Sequence, residues 1–388
     1  MIKYINMSVA NKIIKKMHLS EWMYKLECRK IKVSASPCFQ IIDEALGFLH
    51  SISPDVGHSC VTNRVLPQAD CDLEVIVPCY NVEKYVNECI NSILAQETRF
   101  SFFVTIVNDG SKDRTREKLR SYESVRNVKI IDQENSGFSG ARNTGIAQAH
   151  GRYLLFVDSD DVLLPGAIEE LMSLAEEHNA DVVDSGHIRF ADRTQKGFKA
   201  KMMASIYDAM QRPQTLPFNV ASSRITGFPC GKVLKTELFH RTQFPRGYWF
   251  EDTIVWMILE PLCEHKVSSD KLSFRYRMNP NSISHLYSKS LKSIDSLYVT
   301  LRLLKDRELL GLEFDQYQYD SLLYQLKLNF YRVNTLSSEI KQAVFFVQQD
   351  LIANKFAEWS TINPNVKPIE VFLRAGDYAG FELWCKWH

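Results

Sequence analysis

The chain has 388 residues, which at roughly 100 to 200 residues per domain calls for two or three units. A hydrophobic share of 45% and a charged share of 24% are those of a folded globular protein and exclude a disordered tail, a coiled-coil rod and a collagen-like chain. The net charge of +1 excludes a global basic field that would gather nucleic acid.

Residues 1–33 carry eight basic residues (Lys3, Lys12, Lys15, Lys16, Lys25, Arg29, Lys30 and Lys32) against Glu21 and Glu27. Two readings of this arm stand. It lies on an anionic membrane surface, each basic side chain contributing about 1 kcal/mol, or it packs on the body with its lysines solvated, the reading slightly preferred. Lysines interrupt MIKYINMSVANKIIKKM too early for a signal-peptide core, and no apolar run is long enough to span a bilayer. Nine cysteines with no CxxC and no paired short spacing point to a reducing, cytoplasmic setting, with peripheral contact at the inner face of the membrane under the arm's first reading.

Residues 1–70 read as an N-terminal extension that ends in a Ser/Pro/Gly-rich linker. From 71 to 287 lies the main domain. A strand–helix rhythm opens it: DLEVIVPCY, VEKYVNECINSILAQ, FFVTIVNDG, DRTREKLRSY, NVKIIDQ, SGARNTGIAQAHG, RYLLFVDSDD, then a helix opened by Pro165 and the strand ADVVDSG. Continuous apolar strands alternating with amphipathic helices predict an α/β fold with a mostly parallel sheet covered on both faces. After 186 the rhythm stops; a basic insertion leads to a second cluster from Thr226 to His285. Helical spacing over 288–388 predicts a C-terminal helical unit, open to three roles: covering the catalytic domain, forming a dimer surface or binding acceptor.

In an open α/β sheet the ligand lies at the carboxyl ends of the strands. Four strand ends are polar: Pro78-Cys79-Tyr80-Asn81, Asn108-Asp109-Gly110-Ser111, Asn135-Ser136-Gly137 and Asp158-Ser159-Asp160-Asp161. Asp158 and Asp160 can share a divalent cation and leave positions for phosphate oxygens. Asp109 can accept the ring N–H of a uracil-like base while Tyr80 stacks on its face. Arg142 stands where a cation can reach a pyrophosphate. The bland alternatives are turn and cap residues at each strand end and a solvated or ion-paired helix arginine. Gly137, Gly140 and Gly145 do not form GxGxxG, which counts against a dinucleotide cofactor.

The ordered segments PCYNVEKYVNECINSIL, VNDGSKDRT, NSGFSGARNTGI and YLLFVDSDD resemble family 2 glycosyltransferases, the inverting sugar-nucleotide transferases of the GT-A fold. FPCGKVLKTELF, RGYWFEDTIVW and YRMNPNSISH extend the resemblance over 72–287. It implies a nucleotide-diphosphate sugar donor, usually a UDP-sugar, nucleoside contacts from Pro78, Tyr80 and Asp109, and Mg²⁺ or Mn²⁺ at Asp158-Ser159-Asp160. It further implies that Asp252 takes the acceptor proton with Glu251 orienting the acceptor, and that His285 reaches the metal or the diphosphate. The acceptor is then a hydroxyl of a glycan or lipid-linked molecule in bacterial surface-polysaccharide synthesis. Arg275, Arg277 and Lys232 are weaker candidates for phosphate, donor or acceptor contacts. Two alternatives remain: a sugar-1-phosphate nucleotidyltransferase, whose Gly-rich basic loop after the first strand is missing here, and a non-catalytic glycan- or nucleotide-binding protein of the same fold.

Overall fold

The computed structural model describes residues 39, 41–191, 214–219, 225–278 and 290–387. The basic arm at 1–33 and His285 lie outside the described residues. Two units emerge from the packing of the chain. One comprises Met1–Val56, Leu286–Thr300 and Glu313–His388; the other comprises Gly57–His285 and Leu301–Leu312. These divisions cross the boundaries that composition marks at 70 and 287.

Among the described residues of the second unit, β1 (Cys71–Cys79), β2 (Phe102–Asp109), β3 (Val128–Gln133), β4 (Gly151–Phe156), β5 (Val162–Leu163), β6 (Val182–Ala191), β7 (Lys232–Lys235) and β8 (Lys266–Met278) form one sheet. Its order is β3-β2-β1-β4-β7-β6-β8-β5. The β1–β2, β2–β3, β1–β4 and β6–β8 pairs are parallel, whereas β7 is antiparallel to both β4 and β6, and β5 to β8. The sheet is therefore mixed, with its parallel half where the sequence rhythm is regular. The strand predicted to stop near 186 runs on to Ala191.

Strand side chains alternate between faces, so each strand feeds two layers. Leu73, Val75, Val77 and Cys79 of β1, with Val104, Ile106 and Leu155, pack against the helices Val86–Leu94 and Ala167–Glu177. Those helices form because Val86, Cys89, Ile90 and Ile93, and likewise Ile168, Leu171, Met172 and Ala175, recur at helical spacing and are all buried. The second begins at Ala167, with Gly166 as a left-handed N-cap after Pro165. On the opposite face Ile76 meets the helix Gly137–Ala147 so closely that a Cβ on Gly145 would fall 2.5 Å from Ile76 Cγ2. Phe156 stands edge-on to Phe239 and Phe244 on that face.

The first unit is helical. It holds Ile42–Ile52, Gln316–Arg332, Ser338–Asp350, Lys367–Ala375 and Tyr378–Trp387. Asp315 and Ser337 cap two of these helices, accepting from the Gln318 and Ile340 amides. Ile42–Ile52 packs on Ser338–Asp350, so part of the predicted N-terminal extension groups with the C-terminal helices. No described helix is long and apolar enough to cross a membrane.

Candidate active site

Sheet order reverses beside β1: β2 and β3 extend to one side and β4 to the other, which makes the carboxyl ends of β1 and β4 the place for a ligand crevice. Pro78 belongs to this divergence. The β1–β4 ladder ends at Ile76↔Phe156, with Val157 N donating to Ile76 O at 3.1 Å. The N–H that Pro78 lacks would face the same side one step further on, where no strand partner is paired.

Beyond Pro78 the chain turns through Asn81, which holds a left-handed φ of 54°. Its amide donates to Ser111 Oγ at 3.1 Å, its Oδ1 accepts from Lys112 N at 2.8 Å, and Val82 N donates to Thr115 Oγ1 at 2.8 Å. These bonds interlock the ends of β1 and β2 and leave Tyr80 42% exposed between them, free to offer a ring face. Asp109 is buried at the end of β2. Its Oδ1 accepts from Gln133 Nε2 at 2.7 Å and Ser136 N at 2.8 Å, and its carbonyl from Asn135 Nδ2 at 3.0 Å. Gly110, at φ 70°, lets the Asn135 amide approach: a Cβ there would lie 2.8 Å from it.

The DSDD turn follows β4. Asp158 is partly exposed, Ser159 and Asp161 are buried, and the turn closes through Asp161 N to Asp158 O at 2.9 Å. Arg277 on β8 supports it from beneath: its amide donates to Asp161 Oδ1 at 2.8 Å, its Nε to the Asp160 carbonyl at 2.6 Å and its Nη2 to Glu88 Oε2 at 2.6 Å. Burial, and after it the charges of Asp160 and Asp158, raises the pKa of Asp161 well above the usual carboxylate range.

Arg142 joins two distant segments. From the helix Gly137–Ala147 its Nη1 donates to Glu251 Oε1 at 2.6 Å and its Nη2 to Asp158 Oδ1 at 2.9 Å, over the Phe244 ring at 5.2 Å. Arg142 is 3% exposed, and the two carboxylates supply the partners that a buried charge requires. Burial lowers and the two carboxylates raise the Arg142 pKa, and the net shift is upward. Glu251 is also buried, which pushes its carboxyl pKa up; Arg142 opposes this and Asp252 adds to it.

Glu251 and Asp252 occupy a 3-10 turn, Glu251–Thr253, entered through Phe250 at a left-handed φ of 65°. A non-glycine residue held there stores about 1–3 kcal/mol of strain and persists only where its surroundings fix it. Asp252 is the less buried of the pair.

Lys232 departs from expectation. It is fully buried, 3.2 Å from Asp184, with its Nζ donating to Thr226 Oγ1 at 2.8 Å. Arg275 stacks 4.2 Å over Phe190 on the strand that carries Arg277. The place of Glu88 beside the DSDD turn had no sequence signal, since a charged residue on an exposed helix face usually points to water. Among the described residues no group of three or more His, Cys, Asp or Glu side chains is arranged to hold a metal ion. The seven described cysteines are buried.

The family described as Glycosyl transferase family 2 matches residues 74–253. Glycosyltransferase GlyA of Streptococcus pneumoniae serotype 4 is 30% identical over 226 residues, covering 57% of this chain but 32% of that protein. Glycosyltransferase GlyG of the same organism is 30% identical over 251 residues, covering 62% of this chain and 82% of that protein. The crystal structure of S. aureus TarS residues 1–349, in complex with UDP-GlcNAc, superposes with a TM-score of 0.60 at 20% identity, over 80% of this chain and 89% of that one. The chain thus spans about a third of GlyA and most of GlyG.

Proposed function

Because the chain belongs to glycosyl transferase family 2, we propose that it transfers a sugar, with inversion, from a nucleotide-diphosphate sugar to a hydroxyl of a glycan or lipid-linked acceptor in bacterial surface-polysaccharide synthesis. The Arg142 bridge carries the reading. It ties Asp158, from the donor-side motif, to Glu251, beside the proposed base, so the two halves of an inverting displacement share one buried guanidinium.

In this reading Tyr80 stacks on the nucleobase and Asp109, held by Gln133 and Ser136, accepts its ring N–H, which favours a UDP-sugar. Pro78 shapes the edge of the same slot. The UDP-GlcNAc of the TarS structure belongs to that enzyme, and at 20% identity the likeness concerns the fold.

Asp158 and Asp160, with Ser159 between them, suit Mg²⁺ or Mn²⁺. The turn gathers the carboxylates of Asp158, Asp160 and Asp161 within four residues, and two carboxylates on one ion leave positions for phosphate oxygens. When bound, the ion would supply positive charge to the departing diphosphate. His285 is proposed as a further contact to metal or diphosphate.

Asp252 takes the acceptor hydroxyl proton as that oxygen attacks the anomeric carbon from the face opposite the diphosphate. The bond to the diphosphate oxygen breaks in the same displacement, so no covalent enzyme intermediate forms. Glu251, held by Arg142, keeps the turn and its neighbour in place. The basic arm at 1–33 is proposed either to touch an anionic membrane or to pack on the body.

The deciding experiment incubates the protein with Mn²⁺, a panel of UDP- and GDP-sugars and a lipid-linked or glycan acceptor pool, and follows nucleotide release with transfer of labelled sugar. One donor supporting acceptor-dependent release is the expected result. Release of inorganic pyrophosphate from UTP and a sugar-1-phosphate would favour a nucleotidyltransferase, and binding without turnover a non-catalytic protein.

A further inference from the structure

The turn bearing Glu251 and Asp252 leads into a π-helical stretch, Val255–Leu259. Such stretches displace backbone carbonyls from the ordinary ladder and concentrate at functional sites. Here the Met257 carbonyl accepts a 2.5 Å hydrogen bond from Arg307 Nη1, and Arg307 is 1% exposed. Arg307 lies on the helix Asp295–Leu310, in the part grouped with the sheet unit and outside the segment matched to the family.

Its neighbour Asp306 is fully buried and accepts from Ser59 Oγ and Cys60 N, each at 2.8 Å. The segment holding Ser59 and Cys60 pairs along residues 240–246: His58 N donates to Arg246 O at 2.9 Å, Gln243 N to Cys60 O at 2.8 Å, and Thr62 N to Arg241 O at 3.0 Å. Asp306 therefore secures, through that segment, the chain entering the Gly247–Phe250 bend, and Arg307 secures the chain leaving the acidic turn. Gly57 completes the arrangement, because a Cβ there would lie 1.8 Å from Tyr248 Cζ. Only glycine lets the Tyr248 ring take its place beside the bend.

We propose that Asp306 and Arg307 form a positioning pair that fixes the Tyr248–Ile254 loop and thereby aims the Asp252 carboxylate. The proposal rests on Asp252 being the base of the transferase reading above. Neither residue touches substrate; both act through backbone groups. A loop that drifts no longer confines the proton acceptor to the acceptor hydroxyl, so water attacks the anomeric carbon more often and donor hydrolysis grows at the expense of transfer.

The test compares wild type, Arg307→Met, Arg307→Lys and Gly57→Ala in the full chain, using the donor found in the screen. Nucleotide release and acceptor product are measured together, and calorimetric stoichiometry for the free nucleotide counts competent molecules. Per competent molecule, Arg307→Met should lose about tenfold in transfer kcat, with donor KM within about twofold and the hydrolysis-to-transfer ratio raised about threefold or more. Arg307→Lys, which keeps an N–H donor, should recover part of the loss. A merely structural role would lower both activities in step with the competent fraction and leave the ratio unchanged, which overturns the proposal. Should Arg307→Met fail to fold, Gly57→Ala carries the same readouts with the same expected direction. A wild type that turns over no donor refutes the transferase reading itself, whereas turnover with an unaltered ratio in the variants refutes only the positioning pair.

Discussion

Replacing Arg142 with methionine tests the bridge at the centre of the site. The substitution keeps most of the side chain's length and removes the charge, so two carboxylates lose one shared partner. They respond differently. The Asp158 side chain is 30% exposed and can rehydrate, whereas Glu251 at 11% stays largely in the interior. Breaking a buried ion pair from one side costs about 3–5 kcal/mol, and rehydration of Asp158 puts the expected loss near the lower figure. At about 2–4 °C per kcal/mol for a domain of 150 to 250 residues, the melting midpoint falls by about 6 °C or more. The loss depends on pH with a defined sign. Burial already raises the Glu251 carboxyl against the opposing effect of Arg142, and removing Arg142 raises it further. A group whose folded pKa lies above its unfolded value contributes stability that is complete below the unfolded value and disappears as pH climbs through the folded one, at up to about 1.4 kcal/mol per pH unit. The penalty of Arg142→Met should therefore be smaller at pH 5 than at pH 8 by about 1–2 kcal/mol. Urea-dependent hydrogen exchange of β1 peptides, which report the sheet unit alone, measures it at both pH values. Equal penalties at the two, or a loss below about 1 kcal/mol, would refute the assignment of Glu251 as a buried carboxylate dependent on this arginine.

Asp252→Asn should lower transfer kcat by about 10²- to 10⁴-fold while nucleotide affinity stays within a few-fold; near-wild-type turnover removes Asp252 as base. Calorimetry of UDP with and without Mn²⁺ should show metal-dependent affinity in wild type that Asp160→Ala abolishes, and binding indifferent to the ion in both would end the metal role. Gly145→Ala should destabilise the sheet unit by about 1–3 kcal/mol, because the new methyl meets Ile76 Cγ2 at 2.5 Å on two rigid elements; a change under 0.5 kcal/mol in the same exchange assay, about the scatter of neutral substitutions, would show that the helix shifts freely.

The parallel half of the fold was legible because its signals are local. VTIV and YLLFV are β-branched and apolar runs that end in polar residues, and such runs belong to buried parallel strands whose ends line a crevice. The antiparallel β7 was not legible as a partner of β4, since four residues leading into a 3-10 turn carry no periodicity that names a neighbour. The sheet is mostly parallel, as the rhythm predicts, and the short antiparallel pairs of β5 and β7 are the part without a local signal. The sequence singles out acidic positions but not their wiring. Asp158 and Glu251 are joined through a guanidinium for which sequence offers solvent, a phosphate or an ion pair, without naming the carboxylates. Lys232 shows the same difficulty from the other side, because its burial is decided by Asp184, a residue on a different strand. A charge's fate is set by the partner that tertiary structure delivers.

The position of β7 also orders the events of synthesis. It is made after β6, yet it pairs with β4 on one flank and β6 on the other. Until residues 232–235 leave the ribosome, the outer edge of β4 therefore has no native strand to pair with, and β6, whose other neighbour β8 is made later still, has neither of its flanks. Unpaired apolar strand edges recruit other chains. The nascent polypeptide passes through a window in which aggregation competes with completion of the sheet, and slower elongation through the 192–231 insertion would widen it.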